Sequence, residues 1–213
     1  MIRVLPFNQP LPENAVEVDT TSRSKTWSRG LSPFLVGPVE LWGGHVAQNV
    51  ENAWQFSKVY ARHVRVVAQP EPHKTSAAFS AEPASRVEVN LEAWLQWAKA
   101  GWSSKRAVRY PMGKGAAPVF SYWNGALLDY VTARRTIYIP LYWNAVRTTP
   151  AFELLISSAH AAQSAKHDLV LRDFDAYDHH ALAMTYADVV HCTSRKMGHA
   201  FVLAMMLAEI GLR

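Results

Sequence analysis

Apolar and small residues recur at Val50, Ala53, Trp54, Ser57, Ala61 and Val64, a helical period that predicts a helix over 50–64. Glu51, Gln55, Lys58 and Arg62 then share its other side. Upstream, residues 31–42 carry Phe34, Val36, Val39 and Leu41 between Pro33 and Pro38 and end at Gly43 and Gly44, which predicts one or two short strands and a turn. Asn90 is expected to cap a helix with Leu91, Trp94, Leu95 and Ala98 inward, closed by Gly101. Residues 122–138 read as helix with Leu127, Leu128 and Val131 inward, kinked or restarted at Pro140, which supplies no backbone donor. Thr149 and Pro150 suit the cap and first turn of a helix through about residue 159. The last helix is expected to open at Ser194 and end at Gly211. Met197, Phe201, Leu203, Met205, Met206, Leu207 and Ile210 make it apolar nearly all round, so it belongs at the centre of the fold.

With 213 residues and 49% hydrophobic positions, a single domain spanning 1–213 is expected, with roughly 70% of the unfolded surface buried. Residues 69–85, with Pro70, Pro72 and Pro83, read as a long surface loop. Cys192 is the only cysteine, which excludes an intrachain disulfide and fits a reducing cytoplasm, the host's if the chain is phage-encoded. The first 30 residues hold no apolar run of signal-peptide length. The longest apolar stretch, residues 200–208, falls far short of the roughly 20 residues a membrane span needs, so no membrane partner is expected.

The net charge of +5 is local. No acidic residue lies between Glu92 and Asp129, while Lys99, Lys105, Arg106, Arg109 and Lys114 fall in that gap. Trp94, Trp97, Trp102, Tyr110, Phe120, Tyr122 and Trp123 interleave with them. Cations among aromatics suit a phosphate-bearing partner whose base can stack, a nucleotide or a nucleic acid strand. The same pattern also fits a solvated basic face whose aromatics are core.

Glu51, Gln55 and Lys58 put a carboxylate, an amide and a cation within reach of one ligand, or form an exposed ladder of weak pairs. Asp168, Asp173, Asp175 and Asp178 crowd next to His179 and His180. Counted from Asp173, the calcium-loop positions that require glycine and a carboxylate hold Asp178 and Met184, so no metal is expected, and no cofactor. A carboxylate there is a candidate general base or stabiliser of positive charge on a sugar ring. Arg195 and Lys196, read in the first turn of the last helix, are disfavoured by its dipole unless an anion binds, and Gly198 allows close approach. Nucleophile-elbow and dinucleotide-binding glycine patterns are absent, which argues against a covalent serine hydrolase and a classical dehydrogenase.

Residues 31–60 resemble the opening of the NADAR, or YbiA-like, superfamily through Ser32, Phe34 and Pro38, then Val50, Glu51, Asn52, Trp54, Gln55 and Lys58. Pro33 stands where that family has asparagine and Asn52 where it has histidine. The stretches RYPMGKGA and RKMGHAFVLAMML resemble a closer bacterial and phage group. The resemblance implies an α+β, mostly helical fold with a short N-terminal β element and a buried C-terminal helix. It further implies N-glycosidase chemistry on a ribosylated base, a nucleotide or an ADP-ribosyl adduct. Glu51 would then orient water or stabilise the transition state, with Asp173 or Asp175 as second carboxylate. Ser32, Phe34, Gln55 and Gly198 would line the substrate site. Lys58, Arg195 and Lys196 would hold phosphates and Trp54 or Trp42 would stack on a base, with Lys105, Arg106, Arg109 and Lys114 as further phosphate or nucleic acid contacts. The alternatives are a nucleotide- or nucleic-acid-binding protein without chemistry, and an accessory factor in phage DNA base modification.

Overall fold

Alternating apolar residues at the chain start and a run of apolar residues at 169–171 build the central sheet. The computed structural model describes residues 1–68 and 85–212; the loop read at 69–85 lies outside them except for Ser85. Strands β1 (Ile2–Leu5) and β2 (Val16–Asp19) flank a third strand of distant sequence, Leu169–Arg172, and both pair with it in parallel, Ile2 and Val16 opposite Leu169. Every residue of that middle strand is buried, as expected where a parallel strand is covered on both faces. Arg172 ends it by bonding Glu17 at 2.7 Å and the carbonyls of Pro6 and Gln9 at 2.6 and 2.8 Å.

Helices and short hairpins surround this sheet, and the fold is α+β. Strands β3 (Val39–Glu40) and β4 (Val46–Ala47) form a minimal hairpin, so residues 31–42 contain one short strand, of two residues, before the turn at Gly43 and Gly44. Helix α1 covers only Val50–Phe56, capped by the Asn49 side chain. Instead of continuing to residue 64, the chain forms β5 (Lys58–Val59), which pairs with Ser121 and Phe120. A sheet partner far along the chain thus overrides a weak local helical period. Strands β6 (Val64–Ala68) and β7 (Ser85–Val89) pair antiparallel and lead into α2 (Leu91–Trp102). Asn90 caps α2 as expected, with Trp94 and Ala98 buried and Leu91 exposed. Gly101 of α2 lies where a Cβ would overlap the Phe56 ring, so its bare backbone lets α1 and α2 close together.

The predicted helix at 122–138 is overturned in its first half. Strands β8 (Phe120–Trp123) and β9 (Ala126–Leu128) form a hairpin about Asn124 and Gly125, both at positive φ, and Leu127 is exposed. A continuous helical stretch follows: α3 (Tyr130–Ala133), a π-helical turn Arg134–Tyr138, and α4 (Ile139–Val146). Thr149 and Pro150 open α5 (Pro150–Ser164), longer than predicted, which packs on the middle strand β10 (Leu169–Arg172). After α6 (Tyr186–His191), the last helix, α7, spans His199–Glu209 with Gly198 as cap. It is buried as expected and packs on β1 and β10, but it begins after Lys196, so the predicted place of Arg195 and Lys196 in its first turn is wrong. Among the described residues no helix is long and apolar enough to cross a membrane.

Candidate functional site

A cavity of about 750 Å³ opens where α1, the 109–118 segment, the strand end at 173–175 and the start of α7 converge. Ser32, Phe34, Glu51, Trp54, Gln55, Lys58, Arg109, Asp173, Asp175, Lys196 and Gly198 all line it. Although α1 stops early, Lys58 still follows Gln55 by three residues and remains on the same side.

These side chains form a relay. Lys58 Nζ donates to Gln55 Oε1 at 2.7 Å, and Gln55 Nε2 donates to Glu51 Oε1 at 2.9 Å. The ammonium can only donate, which fixes the amide with its N–H groups toward the carboxylate. Glu51 is 6% exposed, and its other oxygen has no protein partner among the described residues. Burial holds its carboxyl above the usual range, against the opposing pull of Gln55 and Lys58. Burial also lowers the Lys58 ammonium to about 8, with Glu51 working against the drop. Lys58 Nζ lies 4.9 Å from the centre of a Trp54 ring.

The other two carboxylates are committed. Asp173 accepts from His199 Nδ1 at 2.9 Å and from the Ala200 amide at 3.3 Å, while His199 Nε2 faces the Thr20 carbonyl at 2.7 Å. A carbonyl only accepts, so Nε2 carries a proton, and Nδ1 needs one to face a carboxylate; the pair is imidazolium and carboxylate. Burial opposes both charges, and their mutual attraction outweighs it, holding His199 above and Asp173 below their usual ranges. The free amide at the start of α7 therefore already has its anion in Asp173. Asp175 pairs with Arg109 Nη2 at 2.7 Å, with Lys196 at 4.0 Å.

Two buried side chains aim the walls. Asn52 donates to the Ser104 and Arg106 carbonyls at 2.8 and 3.0 Å and accepts from the Val108 amide at 2.8 Å, which directs Arg109 into the cavity. Arg134, 1% exposed, donates to the carbonyls of Val189, Val190 and Cys192 and lies 4.4 Å from the Tyr130 ring centre. Tyr130 and Tyr138 continue the aromatic wall from Trp54, with ring centres 6.5 and 5.3 Å from it.

Several expected contacts are elsewhere. Trp42 packs against His45, Trp102 and Tyr122 and does not line the cavity. Arg195 lies over the Tyr177 ring at 5.3 Å, outside it. Lys105, Arg106 and Lys114 are exposed and also outside, so of the basic segment's proposed contacts only Arg109 enters. His199, Tyr130, Tyr138 and Arg23 line the cavity without having been expected there. The signal for His199 was its place directly after Gly198, and for Tyr138 the proline two positions on. Among the described residues no group of three or more His, Cys, Asp or Glu side chains is placed to hold a metal ion.

The cavity thus offers a flat aromatic wall, cations from Arg23, Lys58, Arg109 and Lys196, and one buried carboxylate with an oxygen to spare. Comparison with family models, with curated proteins and with solved structures gives no match.

Proposed function

We propose that this protein is an N-glycosidase of the cytoplasm that hydrolyses the bond between a ribose carbon and a base nitrogen in a nucleotide or ADP-ribosyl adduct. The observation that carries the reading is Glu51: buried, raised in pKa, tied through one oxygen only, and facing a cavity walled by Trp54 and edged with cations. A base stacks on Trp54 while Lys58, Arg109 and Lys196 meet the phosphates. As the glycosidic bond breaks, the electron pair leaves with the base and positive charge grows on the ribose ring. The Glu51 carboxylate stabilises that charge and takes a proton from the water adding to the ring carbon, and this proton passes to the nitrogen of the departed base, which restores the carboxylate. The resemblance of residues 31–60 to the NADAR superfamily supports the same chemistry. Exposed Lys105, Arg106 and Lys114 support a substrate carried on a nucleic acid strand.

A nucleotide-binding protein without chemistry is the second reading. It is favoured by the commitment of Asp173 and Asp175 to ion pairs, which leaves Glu51 as the one uncommitted carboxylate among the described cavity residues. Incubation with ribosylated nucleotides and ADP-ribosylated DNA, followed by mass detection of released base, separates the two. Release of base supports hydrolysis; tight binding with no release supports the binder.

A further inference from the structure

The helical stretch 130–146 changes its winding at Arg134–Tyr138, just ahead of Pro140. Proline has no N–H, and its ring crowds the carbonyl one turn back, so a wider π turn relieves a helix that cannot wind regularly there. Such turns gather at functional sites, and this one ends on a residue of the cavity wall.

Tyr138 is 6% exposed and lines the cavity. Its ring is gripped between Trp54, 5.3 Å away, and Tyr142, parallel at 6.3 Å. The two tyrosines, one turn apart, differ in their hydroxyls. Tyr142 donates to the Leu31 carbonyl. The Tyr138 hydroxyl has no partner among the described residues, yet it is not among the sealed-off polar atoms, so it is reached from the cavity. A firmly held hydroxyl that faces the cavity and has no protein partner among the described residues is free to bond a ligand atom there. Burial, with Glu51, Asp173 and Asp175 nearby, holds the phenol far above its usual pKa, so it stays protonated.

We infer that Tyr138 selects the base of the cavity's nucleotide ligand by donating its hydroxyl hydrogen to an acceptor on the ring edge, a carbonyl oxygen or an unprotonated ring nitrogen. This rests on the nucleotide reading of the cavity and is independent of whether the base is cleaved. A ring stacked on Trp54 presents its edge to the neighbouring Tyr138, and bases differ in where along that edge they accept.

The test is calorimetry with AMP, GMP, CMP and UMP on the full chain, its Tyr138→Phe variant and its Tyr142→Phe variant. The wild type is expected to rank the four, and Tyr138→Phe to bind the preferred one about tenfold more weakly while the ranking flattens. Tyr142→Phe, which removes an internal bond outside the cavity, should lower the melting temperature and keep the ranking. The inference is overturned if Tyr138→Phe keeps the wild-type ranking and affinities, or if the wild type binds none of the four, which would also end the nucleotide reading. A ranking that depends on Tyr138, with no base released from any substrate, would sink the hydrolase reading and leave this one standing.

Discussion

Gly198 and Asp173 share one space: a Cβ built on Gly198 would overlap the Asp173 carboxylate. Gly198 is extended, not left-handed, so the glycine serves close approach rather than backbone conformation. It lets the carboxylate reach both the Ala200 amide and His199.

Gly198→Ala is therefore expected to push Asp173 off its partners and to destabilise the fold by about 1–3 kcal/mol, the range for overpacking a close-packed site. Urea unfolding checks it. A variant as stable as the wild type would mean that the carboxylate has room to move.

The Asp173–His199 pair also sets a pH window. His199 is raised, so its contribution is complete below about pH 6.5, its unfolded value, and is lost as pH climbs through the folded value. Asp173 is lowered, so its contribution is present above about pH 3.9 and is lost as pH falls through its folded value. Raising the pH from 6 to 9 should lower the urea midpoint of the wild type more than that of His199→Gln. Parallel profiles would contradict a charged pair.

Lys58 adds a second titration, seen in binding. Its ammonium is lost as pH rises through about 8, so affinity for a nucleoside phosphate should fall between pH 7 and 9. Lys58→Gln should bind more weakly at pH 7 and show no such fall by calorimetry. An identical pH dependence in both proteins would remove Lys58 from the phosphate contacts.

Much of this cavity was legible in the sequence because Glu51, Gln55 and Lys58 keep their common side over a turn of chain, whether Lys58 sits in helix or strand. The caps at Asn90 and Thr149 were legible for the same local reason: one side chain bonds an amide three residues on. In the hairpin at 120–128, Asn124 and Gly125 are the pair that favours a two-residue turn with positive φ, but the apolar spacing of Leu127, Leu128 and Val131 masks it and makes 122–138 resemble a helix. Pairings over long separations could not be read locally. Asn52 clamping residues 104–108, and His199 meeting Asp173, depend on elements the chain brings together only when folded. Trp42 illustrates the converse, an aromatic close in sequence to the site that turns into a cluster with Trp102.

Of the five cations in the basic segment only Arg109 lines the cavity, and Lys105, Arg106 and Lys114 are exposed outside it. Changing Lys105, Arg106 and Lys114 together to alanine should leave the binding of a single nucleotide unchanged and flatten the salt dependence for a DNA strand by about one unit of slope for each phosphate no longer neutralised. Arg109→Ala should weaken both ligands. Strand binding untouched by the triple change would mark those side chains as a solvated face.

Glu51→Gln tests the central claim, since it keeps the size and bonding reach of the side chain and removes its charge. If Glu51 stabilises charge that develops only in the transition state, base release should fall by a factor of about 100 or more, roughly 3 kcal/mol, with the affinity for an unreactive nucleotide analogue nearly unchanged. The measurement is turnover by base release beside calorimetry with that analogue, on both proteins. Equal turnover in the two would contradict the account and exclude Glu51 from the chemistry.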